Sequence, residues 1–482
     1  MKRRLILSLG VLAGIIVAWQ VAARPVESSF VWVGSFAMMA VGCMLLQRSN
    51  EALSINTVSI QGIFILSYLV YIVIPGFFVY DESTGSAKGA FLFAALSVLI
   101  TVPFGGLLVN GFLRANRKEV VDFCAAELVD TSGGRYRIAV FVLMLGIGVG
   151  VTGMYAASVE TLPIFYLLKN PGSFALLPEL RQAAGVDLGS KLLYPHYYYQ
   201  MIIYPVLTIL ALGEYMVAKQ RVWFWLFIAA LCMGVLHSSL TAAKSPVAQM
   251  TVVILVFYYM AQRGRIKPRH VVMGIAAVLA FPIIVTGMAY WGAGGGAAGV
   301  ITSLAKRIFY EPSWLIAECF EVFPNLIAPL HGRSIGRVAW ALGQEEFNVP
   351  NYMANYMHPD SPIRSGNANA GFIANLNADF GLWGVIFGGI FSGIVMQVLQ
   401  ILEVRRKKTV AVVAVVSFQM VIFTLLSHTA LSAVLFSYGP ILVIVLVSGM
   451  RAAEHMLRYA SSARWRMAST SASLIGVGVN HG

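Results

Sequence analysis

The chain has 482 residues, of which 58% are hydrophobic and 11% are charged, and its formal net charge is +13. In soluble proteins roughly a quarter of all residues are charged, so this composition excludes a soluble globular domain. Apolar runs of about 20 residues recur along the whole chain, as in polytopic membrane proteins. The basic excess does not indicate a nucleic-acid-binding protein, because most lysines and arginines fall in alternate loops between apolar segments, the positive-inside pattern.

The hydropathy pattern predicts an all-α fold: a polytopic membrane helical bundle, with residues 1–482 as one integral membrane domain. About twelve transmembrane helices are expected, at 5–22, 29–46, 60–80, 89–113, 138–156, 198–217, 222–239, 246–262, 270–290, 372–402, 409–427 and 431–450. The first resembles a signal peptide, but its apolar stretch is longer than usual, so we expect it to be an uncleaved helix.

The distribution of charge predicts the orientation of the bundle. With the N-terminus in the cytoplasm, about two thirds of the 34 lysines and arginines fall in cytoplasmic segments, and both termini lie on that side. Two long loops, 157–197 and 291–371, are then external. Long ordered loops are usually functional, and their mixture of apolar, aromatic and charged residues is typical of short interfacial helices.

A cationic site is predicted on the external side. In the stretch HSSLTAAKSPVAQM, a helix is expected to begin at Ser245–Pro246, and Lys244 beside a helix N-terminus is a candidate anion ligand. Its alternative role is to reach the lipid headgroups. The long loops add three arginines, which suit contact with phosphate oxygens: Arg181, Arg307 and Arg364.

Candidate proton acceptors on the same side are His358, Asp379 and His196, in that order of preference. Asp379 and Asn375 are four residues apart and share a helix face. That face either lines a polar cavity or serves to pair two helices, while the glycines at 381, 384 and 388 on the other side favour close helix packing. The sequence has no metal-binding motif, no nucleotide-binding loop and no paired cysteines. We therefore expect no metal, no cofactor and no intramolecular disulfide.

Two stretches carry a family resemblance: HGRSIGRVAWALGQEEFNVPNYM and, after it, GNANAGFIANLNADFGLWGVIFGGIFSG. Together they resemble the oligosaccharide repeat-unit polymerases, the O-antigen polymerase (Wzy-type) group, over about 300–395. The group's recurrent pattern corresponds to Gly332, Pro350, Gly371–Phe372 and Asp379–Gly381. An arginine found ten residues before a glycine in both loops of some members has no counterpart at Arg181 or Arg307.

The resemblance implies a metal-independent glycosyltransferase of GT-C-like architecture in the bacterial inner membrane. Its substrate would be an oligosaccharide on undecaprenyl pyrophosphate, polymerised on the periplasmic face into a surface polysaccharide, and a chain-length regulator is a further expected partner. Arg307, Arg364, Arg181 and Lys244 are then the candidate pyrophosphate ligands. The candidate sugar-binding residues are Asn367, Asn375, Tyr197 and Tyr198. The tyrosines equally suit an interfacial aromatic belt.

The alternatives are an O-antigen ligase, a transporter or flippase of the same pathway, and a non-catalytic assembly protein. A transporter would favour ionisable residues in mid-membrane and inverted repeats, whereas most of the predicted spans have no central charge and the sequence has no internal repeat.

Overall fold

The computed structural model describes residues 26–50, 58–81, 86–129, 134–170, 176–263, 305–357 and 368–476, with single positions between 272 and 302 and Pro359. The helices of these ranges are, in chain order, α1 (Val26–Asn50), α2 (Ile60–Tyr68), α3 (Ile74–Asp81), α4 (Ser86–Phe112), α5 (Arg117–Ala125), α6 (Gly134–Ser158), α7 (Pro163–Lys169), α8 (Leu177–Tyr198), α9 (Tyr204–Ala218), α10 (Arg221–Leu240), α11 (Lys244–Ala261), α12 (Glu311–Val322), α13 (Gly336–Ala341), α14 (Val349–Met357), α15 (Phe372–Val404), α16 (Val410–Thr424), α17 (Leu431–Phe436) and α18 (Leu442–Gly476). Three π-helical turns, which we call π1, π2 and π3, are Leu69–Val73, Tyr199–Ile203 and Lys306–Tyr310.

The structure confirms an all-α polytopic membrane fold. Eight segments of the described chain are long and apolar enough to cross a membrane: Ile60–Tyr80, Gly89–Phe112, Gly134–Ser158, Lys191–Ala218, Arg221–Leu240, Lys244–Ala261, Phe372–Val404 and Val410–Ser427. Each coincides with a predicted span. The predicted span 29–46 lies within α1, whereas 5–22 and most of 270–290 lie outside the described residues.

The helix that carries the polar stretch is broken at Gly381. This residue has φ 63° and ψ −158°, a conformation that is essentially restricted to glycine. Beyond the break the chain folds back on itself. The evidence is that a Cβ atom added to Gly384 or Gly388 would collide with Leu376. These residues would be far apart on a straight helix. The polar half of the expected span is therefore a separate short helix packed against the membrane-spanning half.

The first long loop ends in the same way. Within α8, Gly189 has φ 59° and ψ 174°, so the loop segment that begins at Leu177 is separated from the membrane span Lys191–Ala218. Each long loop thus ends in a short helix that a glycine hinge joins to a membrane span. Such a hinge allows the short helix to lie at an angle to the span that follows.

The C-terminal part differs from the expected span at 431–450. The chain there forms the short helix α17, turns at Gly439 (φ 83°) and Pro440, and continues as the long helix α18. A proline following a glycine in the left-handed region is a strong stop signal for a helix.

Close packing of α4 against α15 fixes the centre of the bundle. A side chain on Gly105 would meet the carbonyl of Ile390, and one on Gly393 would meet the carbonyl of Val102. The buried amide of Gln61 donates to the carbonyl of Gly393 at 2.9 Å. Small residues at such contacts let membrane helices approach closely.

The long loops gather at one end of the bundle, which we call the loop end. Phe320 of α12 contacts Phe91 at the start of α4, with ring centroids 6.0 Å apart. At the same end Gly371 packs on the carbonyl of Ser427, where the span of α16 finishes. The other end of the bundle, the basic end, carries connections such as the one where Arg405 contacts Glu119 at 2.9 Å.

Candidate functional site

Arg181 joins the first long loop to the start of α11. Its Nε donates to the carbonyl of Thr241 at 3.0 Å, and its Nη2 donates to the carbonyl of Ala242. Both carbonyls belong to the turn between α10 and α11, in which Ala242 has a φ of 51°. The guanidinium therefore stabilises a strained turn while the residue as a whole stays accessible to solvent.

Three predicted pyrophosphate ligands come together at this turn: Arg181, Lys244 and Arg307, which we call the cation cluster. Desolvation, and then the positive charge of Arg307, lower the pKa of Arg181. The charges of Arg307 and Arg181 also act on the ammonium of Lys244. Like charges at such proximity disfavour one another's charged form, and groups perturbed in this way are enriched at functional sites.

Arg307 reaches the cluster from π3. Its Nε lies 3.7 Å from Oε2 of Glu311, and both side chains are nearly half exposed. An exposed ion pair of this kind contributes little to stability, so it leaves the guanidinium able to exchange partners. The fourth predicted ligand, Arg364, lies outside the described residues.

The N-terminus of α11 lies at the cluster, because Lys244 is the first residue of this helix. The helix begins at Lys244, and its N-cap is Ala243, which offers no side-chain acceptor. The prediction that Ser245 is the N-cap was therefore wrong, because the helix starts earlier than the Ser–Pro signal indicated. Without a cap, the first-turn N–H groups and the helix dipole add to the positive potential.

The turn itself is held by Thr241 and Gln200. The Oγ1 of Thr241 accepts from Nε2 of Gln200 at 3.0 Å and donates to the carbonyl of Ser238 at 2.8 Å. Gln200 lies in π2, and π-helical turns within longer helices are often found at functional sites. The geometry of this turn is thus fixed by a residue of the candidate membrane span Lys191–Ala218.

A buried group of aromatic and imidazole rings lies against the cluster. The ring of His196 stacks on Tyr155, with centroids 4.2 Å apart and planes 10° apart, and the ring of His237 lies 4.6 Å from that of His196. The charge of Arg181 acts on Tyr155. The Nδ1 atom of His196 is buried and has no hydrogen-bond partner among the described residues.

His237 is connected on both sides of its ring. Its Nδ1 lies 2.8 Å from Oγ1 of Thr152, and its Nε2 lies 3.2 Å from the carbonyl of His196. The Tyr204 hydroxyl lies 2.9 Å from the same Oγ1. The Thr152 hydroxyl also lies 2.9 Å from the Gly148 carbonyl, so its single proton is donated either to that carbonyl or to Nδ1 of His237.

Asp379 is fully engaged by the second long loop. Its Oδ1 accepts from the backbone N–H groups of Gly332 and Ser334, each at 3.1 Å, and its Oδ2 accepts from the Ser334 hydroxyl at 2.5 Å. The backbone of His331 also donates to the Asp379 carbonyl at 3.0 Å. This geometry fits the structural alternative, because the carboxylate anchors the loop rather than facing an open cavity.

The amides of the same short helix are also used internally. Nδ2 of Asn375 donates to the carbonyls of Ala370 and Gly371 at 2.8 and 3.1 Å, and Nδ2 of Asn377 donates to the carbonyl of Phe323 at 3.1 Å. Asn375 is buried and its amide NH₂ group fixes the start of the helix, while its sugar-binding role stays a prediction.

The remaining candidates fall into two groups. Tyr197 packs edge-on against Tyr438, with centroids 5.8 Å apart, and against Tyr198 at 6.2 Å, which places both tyrosines in helix packing. His358 and Asn367 lie outside the described residues.

His237 and Tyr155 were missed by sequence reasoning. His237 opens the stretch from which Lys244 was selected and lies near the end of α10, just before the turn that leads to Lys244. Its position at the same end of a span was the available signal. Tyr155 gave no signal, because its proximity to His196 and Arg181 arises only when α6 packs beside α8. Comparison of the chain with protein-family models, with curated proteins and with solved structures finds no match.

Proposed function

We propose that the protein is a membrane-embedded glycosyltransferase that polymerises oligosaccharide repeat units carried on undecaprenyl pyrophosphate. The observation that supports it best is the convergence of Arg181, Lys244 and Arg307 on the uncapped N-terminus of α11. A bundle with such a site at the end of its spans suits a lipid-linked diphosphate, whose chain lies in the membrane and whose charge lies at the surface.

The main catalytic requirement of this reaction is to stabilise the negative charge that develops on the leaving pyrophosphate. A hydroxyl oxygen of the acceptor sugar forms a bond to the anomeric carbon of the donor, and the bond from that carbon to the pyrophosphate oxygen breaks. The electron pair leaves with the pyrophosphate, where negative charge develops. Fixed cations and helix N–H groups that already surround this position lower the barrier without reorganising during the step.

The proton of the attacking hydroxyl needs an acceptor, and His196 is the candidate that adjoins the cation cluster. Its stacking on Tyr155 fixes the ring, and its Nδ1 has no competing partner within the described part of the chain. Asp379 is the weaker candidate, because both of its oxygens already accept hydrogen bonds. Of the two described candidates, we therefore place His196 before Asp379, while His358, the first choice from the sequence, lies outside the described residues.

Deletion of the gene tests the proposal directly. Cells without the protein should carry surface glycan as single repeat units on the final acceptor, seen as loss of the ladder on a polysaccharide gel. Unchanged long chains would overturn the proposal. Long chains that remain on the lipid carrier and never reach the acceptor would instead indicate a ligase.

Alanine variants of the cluster test its role in the reaction. Arg181→Ala, Lys244→Ala and Arg307→Ala should each lower polymer formation on the order of a hundredfold, as loss of one transition-state donor does, with normal protein in the membrane. Arg337→Ala is the matched control, because it removes an arginine of the same loop whose guanidinium lies over the Phe436 ring, 4.8 Å from its centroid. Full chain length in all three cluster variants would refute the pyrophosphate role.

A further inference from the structure

Helix α14 carries two stacked tyrosines beside its buried side. Val349 and Met353 are fully buried and fix the helix to the protein, and at about 100° per residue the tyrosines lie on the neighbouring side. Tyr352 and Tyr356, one turn apart, have ring planes 16° apart and centroids 6.3 Å apart. Tyr356 is 41% exposed, so the pair forms a flat aromatic surface that solvent can reach.

Amide groups flank these rings. The Oδ1 of Asn348 accepts from the backbone N–H of Asn351 at 3.0 Å and caps the helix, and Nδ2 of Asn355 donates to Oδ1 of Asn351 at 3.2 Å. At about 100° per residue, the three asparagines and two tyrosines fall within about 140° of the helix circumference. The helix contains no charged residue, so this surface is polar without being ionic.

We call this surface of α14, formed by Tyr352, Tyr356, Asn351 and Asn355, the platform, and the rest of the protein supports it rigidly. The ring of Tyr352 contacts Phe347 with centroids 5.4 Å apart and Phe323 with centroids 6.3 Å apart. The carbonyl of Pro350 accepts from the backbone N–H of Ala368 at 3.0 Å, which ties the first turn of α14 to the segment that leads into α15. A surface held in this way loses little conformational entropy on binding.

The platform and the cation cluster lie at the two ends of α12. Arg307 lies in π3, directly before this helix, and Phe323, which contacts Tyr352, directly follows it. The 12 residues of α12 make it about 18 Å long. A chain of several linked sugars would span this distance.

We infer that the face of α14 formed by Tyr352, Tyr356, Asn351 and Asn355 binds the glycan chain that emerges from the cation cluster. The apolar faces of pyranose rings stack on aromatic side chains, and amides both donate to and accept from sugar hydroxyls. This inference rests on the proposed function, because it identifies the ligand as the carbohydrate part of the same substrate. Held there, the chain would remain near the reaction centre between additions.

A lipid headgroup is the competing occupant, and the composition of the face disfavours it. Membrane-interface anchors combine tryptophan or tyrosine with lysine or arginine, whereas α14 carries amides and no cation. The chain offers a lipid-facing counterpart in Trp383 and Phe387, which are stacked one turn apart at 5.9 Å on a membrane span, are largely exposed and have no amides beside them.

The test compares three double variants of the full-length protein. Tyr352→Leu with Tyr356→Leu removes the rings, and Tyr352→Phe with Tyr356→Phe retains them. Trp383→Leu with Phe387→Leu is the matched control. The probe is the cell's own surface polysaccharide, freed of lipid by mild acid, and binding to the purified protein in detergent is measured by saturation-transfer NMR.

The leucine pair should weaken binding about tenfold, as expected for the loss of two stacking surfaces, and should shorten the modal chain length in cells. The phenylalanine pair and the control should behave as the wild type. Equal binding by wild type and leucine pair, or the same loss in the control, overturns the inference. Failure of the proposed function appears separately, as long chains in the deletion strain.

Discussion

At the scale of single residues, the structure separates groups that hold the loops from groups that converge in the cation cluster. Asp379 belongs to the first kind, because three hydrogen bonds from Gly332 and Ser334 converge on its carboxylate. Arg181 belongs to both kinds, since it fixes the 241–243 turn and contributes charge to the cation cluster. For Asp379, an isosteric substitution distinguishes a role in holding the loop from a role in the reaction.

Asp379→Asn should leave activity within about twofold and cost about 1 kcal/mol of stability, because the remaining oxygen can accept from both N–H groups and the amide can donate to the serine hydroxyl. Asp379→Ala should destabilise by about 2 to 4 kcal/mol, because the loop donors lose their acceptor. The measurements are chain length in cells and thermal unfolding in detergent. Loss of activity in a stable Asp379→Asn protein would restore the carboxylate as the catalytic base.

At the scale of elements, glycine hinges decide where the short helices of the loop end lie. Gly189 and Gly381 both adopt positive φ values at the junction between a short helix and a membrane span. At Gly381 the fold-back brings Leu376 against Gly388, and through Asp379 it also positions the 330–335 segment. The two hinges therefore connect the membrane bundle to the loops that carry the arginines.

Gly381→Ala should destabilise the protein by about 1 to 3 kcal/mol, because a Cβ is disfavoured at this φ and ψ. Steric collision is not the cause, since nothing lies within 4 Å of the added atom. Gly111→Ala is the control, as this glycine also has open space around it but lies in α4 without a positive φ. Unfolding temperature in detergent is the measurement. Equal effects of the two substitutions would show that the break is not maintained by the glycine.

At the scale of the whole molecule, charge is organised differently at the two ends of the bundle. At the basic end, cations are paired: Arg137 contacts Glu214 at 2.5 Å and Glu454 at 3.2 Å, which ties α18 to α6 and α9. At the loop end, the like charges of Arg181, Lys244 and Arg307 act on one another, while Arg307 also pairs with Glu311. The ion pairs of the basic end join separate helices, whereas the convergence of three cations at the loop end is the feature on which the proposed diphosphate site depends.

The sequence predicted the elements that depend on local pattern and missed those that depend on long-range contact. Hydropathy over about 20 residues was sufficient for eight spans, and the residue types of the cation cluster indicated phosphate before their proximity was known. The break at Gly381 was missed because an apolar run continues through it. The pairing of His196 with His237 was missed because it joins spans that are 41 residues apart in the chain.

The orientation of these two ends is the remaining prediction, and it follows from the excess of lysine and arginine at the basic end. The four native cysteines are free and can be replaced to give a cysteine-less background. Gln344→Cys at the loop end and Lys407→Cys at the basic end then introduce single thiols at exposed positions. A membrane-impermeant maleimide should label position 344 in intact cells with a permeabilised outer membrane, and position 407 only after lysis. Both cysteine variants must also produce polysaccharide of normal chain length. The reverse pattern would place the cation cluster in the cytoplasm, where the polymerase we propose could not act on the periplasmic face.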